Sequence, residues 1–313
     1  MVGLKGKDKE VLSGLKTESR NPRTLDLDLM SVGELLTVMN EEDKNVIEAV
    51  KQALPQIQET VEAVICALNK GGRLIYAGAG TSGRLGILDA VECPPTFGVS
   101  YDTVVGVIAG GENAFIRAKE GAEDDLEGGE ADLKNIRLSS GDLVIGLTAS
   151  GRTPYAIGAV RYAKSIGCCT GAVSCNGNAE ISKCVDIAVE LKTGPEIIAG
   201  STRLKAGTAE KMVLNMISSV SMIQNGKTYK NFMVDMKSTN FKLEKRTVNI
   251  VMKAAECSEE TAVQMLEAAH HDAKTAIVMI KASVSREEAK ALLEAAGGRA
   301  GKALQLVNQE ISH

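Results

Sequence analysis

The chain has 313 residues, 44% of them apolar, and carries 36 Lys plus Arg against 40 Asp plus Glu for a formal net charge of -4. That length accommodates one large domain and a smaller one, while the acidic balance, without any dense Lys/Arg run, offers nucleic acid no attraction. The absence of Trp and an aromatic content of 3% remove the stacking platforms of single-strand and many polysaccharide binders.

Polar residues up to about Asp28 read as an extended arm, within which TESRNP (Thr17 to Pro22) is turn chemistry. From Val46 the apolar positions Val50, Leu54, Ile57, Val61, Val64 and Leu68 recur at helical steps, with Pro55 marking a kink or a fresh start and Gly71-Gly72 a stop. Strand-like and helical stretches then alternate: RLIYAG, a helix from about Ser82, TVVGVIAG, a helix from about Asn113, LVIGLTAS, a helix from about Thr153, CTGAVSC, a short helix, and IAVEL. These strands are continuously apolar, as when helices cover both faces, so an α/β fold with a doubly wound parallel sheet is predicted. A long helix from about Leu204 to Gln224 follows, with Ala209, Met212, Val213, Met216, Ile217, Val220 and Ile223 on one stripe. Beyond Val248 the pattern is purely helical, opening at Ser258, resuming at SREEAKALLEAAGG and closing at Gly297-Gly298. The expected divisions are an N-terminal arm and first helix (1–45), an α/β body (46–247) and a small helical subdomain (248–313).

No apolar run reaches the roughly 18 residues of a membrane span, and the opening MVGLKGKDKE lacks the apolar core of a signal peptide. A cytoplasmic protein with no membrane partner is expected. Seven cysteines, with Cys168 and Cys169 adjacent and no C-x-x-C, read as reduced, mostly core thiols. Histidine occurs only at His270, His271 and His313, which leaves the preceding body without Ser-His-Asp chemistry or His-ligated metal of its own.

Chemistry concentrates where strands meet helices. Gly78-Ala79-Gly80-Thr81-Ser82-Gly83-Arg84 ends a strand and opens a helix, where backbone N–H groups and the helix dipole favour an anion. The dinucleotide spacing G-x-G-x-x-G also fits Gly78, Gly80 and Gly83, and glycines permit a tight turn in any case. A second such loop, Thr148-Ala149-Ser150-Gly151-Arg152-Thr153, repeats the hydroxyls, the glycine and the arginine. GPEIIAGSTRLKAGTAEK places Glu196, Ser201, Thr202, Arg203 and Lys205 before the long helix.

The GAGTS and TASGRT loops resemble the two phosphate-gripping loops of sugar isomerase (SIS) domains, and PEIIAGST resembles the third active-site segment of that fold. More narrowly, TESRNP, NEEDK, GAGTSGRLGILDAVECPPTFG, IAGGENA, EGAEDD, ASGRTPY and GSTRLKAGTAEKMVLNM resemble the N-acetylmuramic acid 6-phosphate etherases, from about Thr17 to Gly298. The resemblance implies a SIS-type sandwich, a homodimer, a C-terminal subdomain similar to ubiquitin-associated modules, and a lyase that needs no cofactor. Its reaction removes D-lactate from the sugar 6-phosphate and leaves N-acetylglucosamine 6-phosphate.

Carried over by motif, the catalytic carboxylates are Glu92 of ECPP and Glu123, the second glutamate of EGAED. Val91 stands where many relatives have a small polar residue. Ser82, Ser150 and Thr153 are the first candidates for the phosphate, with Thr81, Gly83 and Thr148 next, and Glu196, Ser201 and Lys205 are candidates from the third segment. Arg84, Arg152, Arg203 and Lys205 either balance the substrate's charge or cap helix ends. A ketose–aldose isomerase with Glu196 as base, and a sugar-phosphate-binding regulator related to glucokinase regulatory proteins, are the competing readings.

Overall fold

The computed structural model describes residues 15–235 and 241–310. The start of the expected arm and His313 lie outside them. The described residues up to Val91, with Tyr101–Ser218, form one compact unit; Glu92–Ser100 and the residues from Ser219 form a second.

The first unit opens with short turns and α1 (Val32–Glu42), whose Ser31 cap and Glu34 close a reciprocal capping box. Helices α2 (Lys44–Gln52) and α3 (Leu54–Asn69) share the apolar period predicted from Val46 onwards. Pro55 sits in the first turn of α3, where its missing N–H costs nothing, so it starts a new helix.

Five strands follow: β1 (Leu74–Gly78), β2 (Val104–Ile108), β3 (Leu143–Thr148), β4 (Cys169–Ser174) and β5 (Ile187–Glu190). All pair in parallel, in the order β2-β1-β3-β4-β5. Every residue of β1 and β3 is buried, which is why their sequences are apolar without alternation. Between the strands run α4 (Gly80–Phe97), α5 (Asn113–Ile116), α6 (Leu126–Asn135) and α7 (Pro154–Ser165), and α8 (Lys205–Gln224) comes after β5. On one face Val144 and Ala77 meet Leu133 of α6 and Ala156 and Val160 of α7; α3 packs against β1, β3 and β5.

The helix predicted from about Asn113 is broken. It ends at Ile116 because Arg117 turns extended, and Gly121 takes a left-handed φ of 78° before a short 3-10 turn, Ala122–Asp124. The stripe predicted on α8 also divides. Ala209, Val213 and Ile217 are core, whereas Val220 and Ile223 are exposed, and the buried face instead takes in Glu210, Leu214 and Ser218.

The second unit holds α9 (Phe241–Ala255), α10 (Glu259–Ala268), α11 (Ala273–Ala282), α12 (Arg286–Ala295) and α13 (Ala300–Glu310) around Val251, Ala262, Ala276, Ile277 and Ala303. His270 and His271 both have positive φ and separate α10 from α11, and Asp272 caps the latter. An antiparallel pair, β6 (Thr228–Tyr229) with β7 (Phe232–Met233), precedes α9. Strands of two residues leave no period to read in the sequence.

Packing in the first unit is tight enough to be tested. A Cβ at Gly158 of α7 would fall 1.9 Å from the Leu126 carbonyl oxygen of α6. Gly158→Ala is expected to destabilise the protein by about 1–3 kcal/mol through overpacking. Gly33→Ala, which meets nothing within 4 Å, is the control. Urea midpoints of the two variants check this, with Gly33→Ala at or above wild type.

Candidate functional site

The chain leaves β1 for β2 on one side and returns to β3 on the other, so the loops after β1 and β3 diverge. A crevice at the carboxyl ends of the strands follows from that switch point. It is there: a cavity of about 320 Å³ is lined by Ala79, Gly80, Thr81, Ser82 and Arg84 after β1, by Ala109 after β2, and by Ala149, Ser150 and Thr153 after β3.

On the β1 side, α4 begins almost as soon as the strand ends. A Cβ on Gly83 would lie 2.6 Å from the Gly78 carbonyl oxygen, so only glycine lets the first turn rest on the strand. Gly83 therefore serves the cavity from behind. Its neighbours Thr81 and Ser82 face it, at a helix N-terminus whose first N–H groups have no partner within the helix. Arg84 lines the cavity too, but its guanidinium donates to the carbonyls of Ala114 (2.8 Å) and Phe115 (2.9 Å), which ties α4 to α5.

On the β3 side the hydroxyls form a cluster. Thr148 Oγ1 lies 2.7 Å from Thr153 Oγ1 and 3.2 Å from Ser150 Oγ, and it accepts the Gly151 N–H. Thr148 is buried and does not line the cavity; it orients Ser150 and Thr153, which do. Ser150 Oγ also accepts the Arg152 N–H at 3.2 Å.

The break between α5 and α6 supplies part of the rim. Lys119, Glu120 and Glu123 come from it, all exposed, and Glu18 of the N-terminal turn joins them. That turn is held down by Asn176, whose Nδ2 donates to Thr17 Oγ1 and to the Ala149 carbonyl, and by the Gly200 N–H, which donates to the Thr17 carbonyl. Glu92, towards the end of α4, is exposed and is not among the lining residues.

The third segment builds a frame around this cavity. Glu196 is fully buried and accepts the N–H groups of Lys205 (3.0 Å) and Ala206 (2.9 Å), so it caps α8. Burial pushes its carboxyl up against the pull of those bonds. The Lys205 ammonium, also buried, donates to Glu42 Oε2 at 2.7 Å. Glu42 accepts from Asn21 and Arg23 as well. Burial alone would raise Glu42, but the Lys205 ammonium, with Asn21 and Arg23, more than offsets it and holds the carboxyl below its ordinary value. Ser201 is half-buried and Arg203 exposed, and neither lines the cavity, although Thr202 does.

Behind the first loop, Ser82 Oγ is hydrogen-bonded to Glu210 Oε1 of α8 at 2.9 Å. On the same helix as Ser82, Asp89 accepts from Ser218 and from Tyr76 of β1. Of the seven cysteines Cys93, Cys168 and Cys175 are buried, three are half-buried and Cys66 is exposed, so fewer are core thiols than the sequence implies.

Comparison with known proteins identifies the lineage. The chain is 59% identical over 268 residues to the N-acetylmuramic acid 6-phosphate etherase of Listeria monocytogenes serotype 4b (strain CLIP80459), covering 86% of this chain and 90% of that protein. It is 53% identical over 298 residues to the enzyme of the same name from Halalkalibacterium halodurans, covering 95% and 100%. The chain belongs to the N-acetylmuramic acid 6-phosphate etherase family. Residues 56–164 also match the family described as the glucokinase regulatory protein N-terminal SIS domain. A solved phosphoheptose isomerase from Francisella tularensis is 15% identical with a TM-score of 0.45, over 61% of this chain and 100% of that one.

Of the sequence candidates, Thr81, Ser82, Ser150, Thr153 and Glu123 line the cavity. Glu18, Lys119 and Glu210 are not among the candidates that the sequence pattern assigns. Glu18 lies in TESRNP, Lys119 just before EGAED and Glu210 within GSTRLKAGTAEKMVLNM, so the motifs are the available signal, although nothing in them pairs Glu210 with Ser82, 128 residues away.

The frame makes its own prediction. Lys205→Ala leaves Glu42 buried without its ammonium and is expected to cost about 3–5 kcal/mol at pH 7, while Glu42→Leu with Lys205→Met restores most of it. Because the folded Glu42 carboxyl sits below its ordinary 4.5, the pair's contribution is present above that pH and fades as pH falls through the lower folded value. Urea unfolding at pH 7 and pH 3 measures both effects, and a variant as stable as wild type at pH 7 would remove the pair from the frame.

Proposed function

We propose that the chain is a lyase that cleaves the D-lactyl ether of N-acetylmuramic acid 6-phosphate, giving N-acetylglucosamine 6-phosphate and D-lactate. Family membership supports the reaction. The observation that carries its location is the cavity at the β1/β3 switch point, which gathers Ser82, Ser150, Thr153 and Glu123 around one space.

The ether at carbon three is inert while the sugar ring is closed. Ring opening puts an aldehyde two carbons away and makes the carbon-two proton removable. Glu123, on the rim, takes that proton; the C–H electrons form the carbon two–carbon three double bond, and the carbon three–oxygen bond breaks. Glu92 delivers a proton to the departing oxygen, and lactate leaves. Water then adds, hydroxide at carbon three and a proton at carbon two, with Glu92 now ionised and able to activate it. The phosphate lies against Ser82, Ser150 and Thr153, and Thr81, Lys119 and Arg84 surround the substrate. No metal or nucleotide takes part in these steps.

An isomerase with Glu196 as base is disfavoured, because both oxygens of that buried carboxylate hold backbone N–H groups. The match to glucokinase regulatory proteins favours a second reading, binding without turnover. Release of D-lactate from N-acetylmuramic acid 6-phosphate by the pure, chelator-treated protein decides between them.

A homodimer in the cytoplasm completes the reading. Supporting it, Leu29, Val32, Leu36 and Ile47 are exposed apolar side chains near α1 and α2, and no helix among the described residues is long and apolar enough to cross a membrane. A monomeric mass with full activity at micromolar concentration would refute the dimer.

The catalytic assignments separate by solvent exchange. Glu92→Ala is expected to lose lactate release by about 10²–10⁴-fold while still exchanging the carbon-two proton with deuterated water, and Glu123→Ala to lose both. The reverse pattern would swap the roles. Ser150→Ala should weaken sugar-phosphate binding by about 1–3 kcal/mol, read by calorimetry, and equal binding of the phosphorylated and unphosphorylated sugars by wild type would remove the phosphate from this loop.

A further inference from the structure

Glu210 lies behind the first loop and is fully buried. Its Oε1 is 2.9 Å from Ser82 Oγ, and its Oε2 has no hydrogen-bond partner among the described residues. A serine hydroxyl has one hydrogen to give. With Glu210 ionised, the carboxylate holds that hydrogen and Ser82 shows only lone pairs to the cavity, where a phosphate oxygen repels them. With Glu210 neutral, the acid donates its own hydrogen to Ser82 Oγ, and the Ser82 hydrogen is released towards the cavity.

We propose that Glu210 is a positioning residue for the substrate's phosphate: a neutral carboxylic acid that donates to Ser82 Oγ and so turns the Ser82 hydroxyl hydrogen onto the phosphate. The inference rests on the sugar-phosphate reading above and names a group that makes its loop a donor. It also accounts for a carboxyl placed behind an anion site in a chain of net negative charge, since a neutral acid repels nothing.

The surroundings favour the neutral form. Burial raises the Glu210 carboxyl to about 8, against the smaller pull of the Ser82 hydrogen bond. The Cys175 thiol after β4 faces it; burial first, then Glu210 and Glu196, push that thiol well above its ordinary value, so it stays neutral beside Glu210. Glu196 is occupied by the α8 backbone, and no ion pair among the described residues includes Glu210. With a raised value, the donor role is present below about pH 8 and is lost as pH rises through it.

Calorimetric titration with N-acetylglucosamine 6-phosphate between pH 7 and pH 9 tests this, in a range where the ligand's own phosphate, with a second pKa near 6, stays largely dianionic. Wild-type affinity is expected to fall about tenfold across the range, as for a site that binds only while one group of value near 8 is protonated. Glu210→Gln, whose amide keeps a donor on Ser82, should show a flat profile; Glu210→Ala and Ser82→Ala should be flat and weaker at pH 7. The infrared carbonyl band of a protonated carboxylic acid should be present in wild type at pH 7 and missing in Glu210→Gln. A flat wild-type profile, a slope that persists in Glu210→Gln or Ser82→Ala, or no such band overturns the inference alone, provided the sugar phosphate binds and lactate is released. Failure to bind sugar phosphate at any pH overturns it together with the function.

Discussion

The first turn of α4 rests on the end of β1 with no side chain between them, and the site depends on that contact. Glycine at position 83 closes the gap to the Gly78 carbonyl, so the helix starts beside the strand end instead of above it. Its free N–H groups and the hydroxyls of Thr81 and Ser82 then open onto the crevice that the strand order leaves between β1 and β3. Ser82 is near enough to α8 to meet Glu210 on one side and the cavity on the other. A bulkier residue at 83 would lift the whole first turn and break both relations.

A second layer holds the mouth in shape. Glu196 caps α8, and the Lys205 that follows it reaches Glu42 at the end of α1, where Asn21 and Arg23 also converge. Buried ion pairs contribute little net stability, yet removing one member leaves an uncompensated charge. Such a pair therefore fixes a geometry more than it adds free energy. The geometry fixed here is the N-terminal turn, pinned further by Asn176 to Thr17, and that turn carries Glu18 to the cavity.

The sequence made the sheet legible because strands covered on both faces must be apolar throughout, and β1 and β3 are. The two hydroxyl loops were legible because each follows such a run and opens a helix. Three features were not. The break at Arg117–Gly121 interrupts residues that carry no proline, with Arg117 extended and only Gly121 left-handed to mark it. Glu196 and Lys205 read as ligand groups because they lie in a polar segment beside the active loops; only their burial reveals them as frame. The Ser82–Glu210 pair joins two helices distant in sequence, and α8 reads as an amphipathic stripe in which a glutamate belongs to solvent.

The proposed substrate brings a dianionic phosphate to a cavity that Glu18, Glu120 and Glu123 line. The arrangement separates the two demands by depth. Ser82 is buried and Thr81, Ser150 and Thr153 are half-buried, where a lowered dielectric strengthens a bond to an anion, while the carboxylates stay exposed on the rim, where solvent screens them. On the proposed function, a sugar phosphate would be oriented before any chemistry, its charged end drawn to the hydroxyls and repelled by the exposed carboxylates. A carboxyl close behind those hydroxyls would defeat this unless it were neutral, and Glu210 is buried in that position behind Ser82.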